Sequence, residues 1–165
     1  MIWGLTTASF TAVHVVLSLV GIAAGLVVLY GLLSGQWFNR WNAVFLITTI
    51  ATSVTGFGFP FRLEPPQIVG ILSLLVLAVA LFALYGAHLA GAWRRIYGIS
   101  AIAALYFNVF VLVAQLFDKV PALKALAPTQ REPPFAIAQL AVLVLFVVLG
   151  ARATKRSRAE LIPAV

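Results

Sequence analysis

YGISAIAALYFNVFVLVAQLF, residues 97–117, is long enough for a helical crossing of a bilayer and carries no charge. A hydrocarbon core takes about 20 helical residues. Along a helix, Ala101, Ala104, Asn108, Val111, Gln115 and Asp118 fall at alternating spacings of three and four. That is the 3.5-residue rhythm of helices packed in left-handed bundles. Small residues occupy the first half of this seam, and hydrogen-bonding side chains the second. Asn108 and Gln115 facing lipid would be costly, so other helices are expected to wrap this face. The stretch predicts an all-α fold, a polytopic transmembrane helix bundle gathered around it.

Composition agrees. Of 165 residues, 63% are hydrophobic and only 9% charged, against roughly a quarter charged in a soluble domain. One transmembrane domain, residues 1–165, is expected. The formal charge of +7 resembles a nucleic-acid signal, but every Lys, Arg, Asp and Glu lies in a junction or near the C-terminus. Such placement is that of a polytopic protein sorted by the positive-inside rule, so no nucleic-acid partner is expected. The absence of cysteine rules out disulfides and thiolate chemistry. The N-terminus lacks the basic start of a cleavable signal, and its first apolar run is too long for one.

Five spans are expected, at about 10–33, 42–60, 67–91, 96–117 and 135–151. In the first, Thr7, Thr11, His14, Ser18, Gly21 and Gly25 alternate four and three and end in a G-x-x-x-G step. A small-residue face of this kind marks close helix–helix approach in lipid. The second span is the weakest, with Thr48, Thr49, Thr52, Ser53 and Thr55 inside it. Hydroxyls that bond back to their own helix allow it to cross, with Thr48, Thr52 and Thr55 as its seam. A re-entrant segment is the alternative. In the third span, Ser73, Leu77, Ala80, Leu84, Ala87 and Gly91 continue the rhythm.

Glu-Pro-Pro opens both the third and the fifth span, giving loop corners at Arg62 and Glu64 and at Arg131 and Glu132. Glutamate ahead of a helix suits its dipole, and proline is tolerated in the first turn. The similar hairpins read either as a duplication or as the same capping device used twice. Residues 120–126 are expected to form a short interfacial helix that Pro128 stops. Residues 152–165 are expected to form a short basic cytoplasmic tail.

Five spans with the C-terminus inside place Arg40, Arg94, Arg95, Arg152, Lys155, Arg156 and Arg158 on the inner side. Arg62, Lys119, Lys124 and Arg131 fall outside. The positive-inside rule therefore favours N-out, C-in.

Catalytic signatures are missing from the sequence, and no Asp, Glu, Lys or Arg lies deep within a span, so neither an enzyme nor a proton-coupled pump is expected. His14 and His88 invite a bis-histidine haem. Under five spans their depths differ by about 20 Å at 1.5 Å per residue, so no cofactor is expected. A re-entrant second segment would bring them level. The more informative set is His14, Ser18, Thr52, Thr55, Asn108, Gln115 and Gln139, in the outer half and at mid-depth. They either line a cavity for a quinone head or small polar solute, or serve as interhelical glue, the commoner use of such groups.

The strings TSVTGFGFPF (52–61), HLAGAWR (88–94) and LAPTQREPPF (126–135) resemble a group of small, uncharacterised bacterial inner-membrane proteins. The resemblance implies a bacterial cytoplasmic membrane with periplasmic Glu-Pro-Pro loops, and carries no activity. The expected function is that of an accessory, assembly or oligomeric scaffold subunit. Its partners would be the lipid bilayer and a homo-oligomer or larger membrane complex. Small-molecule binding or transport through the outer polar set is the alternative, and a redox enzyme ranks third.

Overall fold

A computed structural model describes residues 1–59 and 65–159. Within these residues six α-helices follow one another: α1 (Thr7–Ser34), α2 (Asn39–Gly56), α3 (Pro65–Leu81), α4 (Trp93–Lys119), α5 (Pro121–Leu126) and α6 (Pro133–Ala159). Among the described residues, four stretches are long and apolar enough to cross a membrane: Thr7–Ser34, Pro65–Gly86, Trp93–Lys119 and Pro133–Lys155. α2, diluted by Asn39, Arg40, Asn42 and its hydroxyls, is not among them.

The start of α1 is capped by the Thr6 hydroxyl, which accepts from the Ser9 amide at 3.1 Å. Its end is set by Gly35, whose φ of 74° is the left-handed conformation that glycine adopts without penalty. The chain then turns back, and α2 lies antiparallel along α1. A Cβ on Gly31 would meet the Phe38 ring, one on Gly25 the Phe45 ring, and one on Gly21 the Thr48 and Thr49 hydroxyls. Further along, His14 meets Thr55, and a Cβ on Gly58 would strike Phe10. Contacts from Gly31 down to Phe10 keep one register, so α2 accompanies α1 along most of its length.

α4 is the hub. It runs parallel to α2, with Tyr97 donating to Asn42 and Asn108 to Thr49. It runs antiparallel to α6, through Ile102 beside Gly150, Tyr106 against Phe146 and Phe117 against Phe135. α3 leaves the end of α2, where Gly70 faces Phe57, and returns to the start of α4, where Phe82 packs on Trp93. One end of the bundle thus gathers the turn between α1 and α2, the start of α4 and the close of α6. This basic end carries Arg40, Arg94, Arg95, Arg152 and Lys155. The opposite end, the loop end, holds α5 with Lys119, Lys124 and Arg131.

Several expectations need correction. The third span ends at Gly86, not at 91, because Phe82–Gly86 forms a π-helical turn and His88 and Leu89 then take φ of 49° and 56°. Its buried seam is Ser73, Leu77 and Ala80, continued by Ala83, with Leu84 only half-buried. In α2 the buried polar residues are Asn42, Thr49, Thr52 and Ser53, while Thr48 and Thr55 are half-buried. The expected seam of Thr48, Thr52 and Thr55 includes the two threonines that meet α1, at Gly21 and His14, and the structure adds Asn42, Thr49 and Ser53 because α3 and α4 cover further sides of this helix.

α6 continues past 151, so residues 152–159 of the expected tail are helical. On the hub, Ala101, Ala104 and Asn108 are buried, but Gln115 is exposed. The expected short helix is α5. The end of the second span at Pro60, the corner residues Arg62 and Glu64, and residues 160–165 lie outside the described residues.

Candidate functional site

The polar groups of the bundle fall into small sets rather than one. Nearest the loop end, His14 Nδ1 lies 2.8 Å from Thr55 Oγ1. The Thr55 hydroxyl also reaches the Ala51 carbonyl at 2.7 Å, the usual back-bond of a helical threonine. Nδ1 donates to Thr55 if it carries the imidazole proton and accepts from the hydroxyl if it does not. The ring stands edge-on to Phe59, at 5.4 Å, and Phe59 in turn packs on Phe10. His14 is therefore half-buried among aromatic rings with one nitrogen already used.

At mid-bundle, Asn108 Nδ2 donates to Thr49 Oγ1 at 3.3 Å across α4 and α2. Gly21 of α1 closes over both, since a Cβ there would come within 3.2 Å of Thr49 Oγ1 and 3.5 Å of Asn108 Nδ2. The G-x-x-x-G step is thus the lid of this polar contact. One turn beyond, Gly25 lets Phe45 and Leu105 meet beneath α1.

The third set belongs to α6 and the loop before it. Gln139 Nε2 donates to the Phe110 carbonyl at 3.0 Å, and Gln130 Nε2 to the Ala114 carbonyl at 2.8 Å. Two glutamine amides thereby grip the backbone of α4 one turn apart. Gln130 was missed by sequence reasoning because it sits in a loop. Its signal was only its place before the fifth span. Gln115 points away from these contacts, on the exposed face. Ser18 is half-buried on α1 between His14 and Gly21.

At the loop end, Glu132 turns its carboxylate back on its own loop. It accepts from the Thr129 hydroxyl at 2.8 Å and from the amides of Thr129 and Arg131 at 3.3 and 3.1 Å. These bonds, the Thr129 hydroxyl foremost, hold its pKa below the usual glutamate range. The Arg131 side chain is exposed. Asp118 binds Lys119 at 2.7 Å and Lys124 at 3.2 Å, fastening α5 to the end of α4.

His14 and His88 lie at opposite ends of the bundle, one near the start of α1 and the other past the end of α3. The two cannot ligate one iron within this fold. Among the described residues no three His, Asp or Glu side chains converge as a metal site requires. Among the described residues, three buried polar atoms lack a hydrogen-bond partner: Thr52 Oγ1, Ser73 Oγ and Gln139 Oε1. Open space is found elsewhere, in an apolar groove of about 390 Å³ between α4 and α6.

These features define the class: a multi-pass helical membrane protein whose helices are joined by small-residue contacts and short polar links. Compared with family models, curated proteins and solved structures, the chain finds no match.

Proposed function

We propose that this chain is a non-catalytic scaffold or accessory subunit of a bacterial cytoplasmic membrane, crossing it five times with the N-terminus outside and the C-terminus inside. The fifth crossing is α2. Its 18 residues reach about 27 Å at 1.5 Å per residue, close to a hydrocarbon core of about 30 Å. Register with α1 from Phe38 to Gly58 supports the same slab for both helices. Its threonines are compatible with lipid depth because Thr48 and Thr55 bond back to Val44 and Ala51 at 2.7 Å each. Orientation follows the basic end, which the positive-inside rule assigns to the cytoplasm.

The observation that carries the scaffold reading is how the deep polar groups are used. His14, Asn108 and Gln139 each bond to a neighbouring helix rather than to a shared hollow. Groups used in this way hold helices together and leave little to recognise a solute. Blue-native electrophoresis of digitonin-solubilised membranes tests the reading. An assembly well above the 17.7 kDa of one chain, with a second copy or a stoichiometric partner, is expected. A lone monomer at native expression level would refute it.

A second reading, binding of a quinone head or small polar solute, is favoured by one observation. Thr52, Ser73 and Gln139 keep buried oxygens unpaired, and such atoms in a native protein call for water or a ligand. Thr52→Val and Ser73→Ala distinguish the readings. Stability equal to or above the parent with an unchanged phenotype fits the scaffold. A well-folded variant that loses a bound solute fits the alternative.

A further inference from the structure

The groove between α4 and α6 lies toward the basic end of the bundle. Its walls are Ile99, Ala103 and Tyr106 on one helix and Leu143, Val147 and Ala151 on the other. Gly150 lets the two helices lie close beneath it without filling the space. From Leu143 to Thr154 the lining extends about 16 Å at 1.5 Å per residue. That is about half of a hydrocarbon core of about 30 Å, the depth of one leaflet. A hollow this long and apolar, open to lipid, matches an acyl chain rather than a compact solute.

What stands at its mouth identifies the head. One helical turn before Ile99 is Arg95, and one turn after Ala151 is Lys155, so each wall ends in a cation. Arg152 is exposed beside them. Neither Arg95 nor Lys155 is paired with an acid among the described residues. Asp118 and Glu132 lie at the opposite end of the molecule. Two cations capping a leaflet-deep apolar groove make a site for an anion that carries a hydrocarbon chain.

The geometry points to a bound anionic phospholipid, one acyl chain in the groove between α4 and α6 and its phosphate held by Arg95 and Lys155. This site rests on the membrane class alone. It stands whether the scaffold reading succeeds or fails, because the test reads lipid and not assembly. The lipid fills the space that α6 leaves beside the hub, where packing is otherwise incomplete.

Native mass spectrometry of delipidated protein in dodecylmaltoside tests it, with dioleoylphosphatidylglycerol and dioleoylphosphatidylcholine added separately. A single retained phosphatidylglycerol is expected, bound in clear preference to phosphatidylcholine. Arg95→Gln and Lys155→Gln should each weaken retention about fivefold, the contribution of one cation near an anionic surface, and together about 25-fold. Arg95→Lys should keep most of it. Ala103→Trp fills the groove and should abolish retention, while the lipid-free melting temperature of the charge variants matches the parent. Equal retention of the two lipids, or a double charge variant that binds like the parent, would overturn the site. So would an Ala103→Trp variant that folds and keeps its lipid. Loss of a dimer in Ala103→Trp with lipid retention unchanged would assign the groove to a second copy instead.

Discussion

Gly25→Ala is the sharpest probe of the close approach between α1, α2 and α4. A Cβ at this position would sit 2.6 Å from Leu105 Cδ1 and 2.9 Å from Phe45 Cε2. Both neighbours are fully buried, at 1% and 0% exposure, so neither can swing aside into solvent or lipid. Overpacking of this kind costs about 1–3 kcal/mol. The same change gains about 1 kcal/mol of helix propensity, leaving a net loss of about 0–2 kcal/mol from these two effects.

Gly98→Ala is the matched control. Its Cβ would meet Leu32 at 3.8 Å, an ordinary contact, so only the propensity gain of about 1 kcal/mol applies. The difference between the two variants isolates the clash and should be about 1–3 kcal/mol. Reversible unfolding in mixed dodecylmaltoside–SDS micelles measures it. In a Leu105→Ala background the penalty at position 25 should shrink, since one of the two obstructing side chains is gone. Equal stability of Gly25→Ala and Gly98→Ala would refute the packing of Gly25 against the hub.

The cysteine-free chain permits a topology test: Ser9→Cys and Ala125→Cys should react with an impermeant maleimide in spheroplasts, and Ser157→Cys only after lysis. Labelling at 157 with none at 125 would reverse the orientation. Asn108→Leu should cost at most about 1–2 kcal/mol, the range of interhelical hydrogen bonds in membranes, whereas Asn108→Asp should insert poorly. A loss above this range in the leucine variant, read by the same micelle titration, would show that the bond to Thr49 does more than join helices. A His14→Ala/Thr55→Val double-mutant cycle should give a coupling of about 0.6 kcal/mol, the average for such pairs, and zero coupling would dismiss the contact. Glu132, with its pKa lowered in the folded loop, stabilises that loop at neutral pH and loses this effect as pH falls through the lowered pKa. Thr129→Val should move the carboxyl titration back up in a carbon-detected NMR experiment, and an unmoved titration would contradict the hydroxyl bond.

Much of this architecture was readable from the chain because lipid is an unforgiving solvent. An apolar run such as residues 97–117 has no alternative to helix, since every backbone donor must be satisfied within the segment. Likewise Gly21 and Gly25 announced a tight face, and the fold presses that face against Thr49, Phe45 and Leu105. Small residues at helical spacing permit one outcome in lipid that large ones do not, which is close backbone approach.

Which hydroxyl of α2 links to the hub, and the fate of individual amides, were decided only by the tertiary structure. α2 carries hydroxyls around much of its circumference, so polarity could not select Thr49 over Thr48. The choice was made by α4, whose Asn108 faces the first, while the second could satisfy itself on Val44. Gln115 and Gln130 show the same separation. Gln115 lay on the predicted seam, yet the Ala114 carbonyl is taken by Gln130, whose loop α5 and the Asp118 ion pairs hold beneath the end of α4. The π-helical turn at Phe82–Gly86 and the groove beside Tyr106 were equally hidden, because each depends on how α3 and α6 meet the hub. A helix's own sequence determines what must leave the lipid, but the neighbouring helices determine which partner receives it.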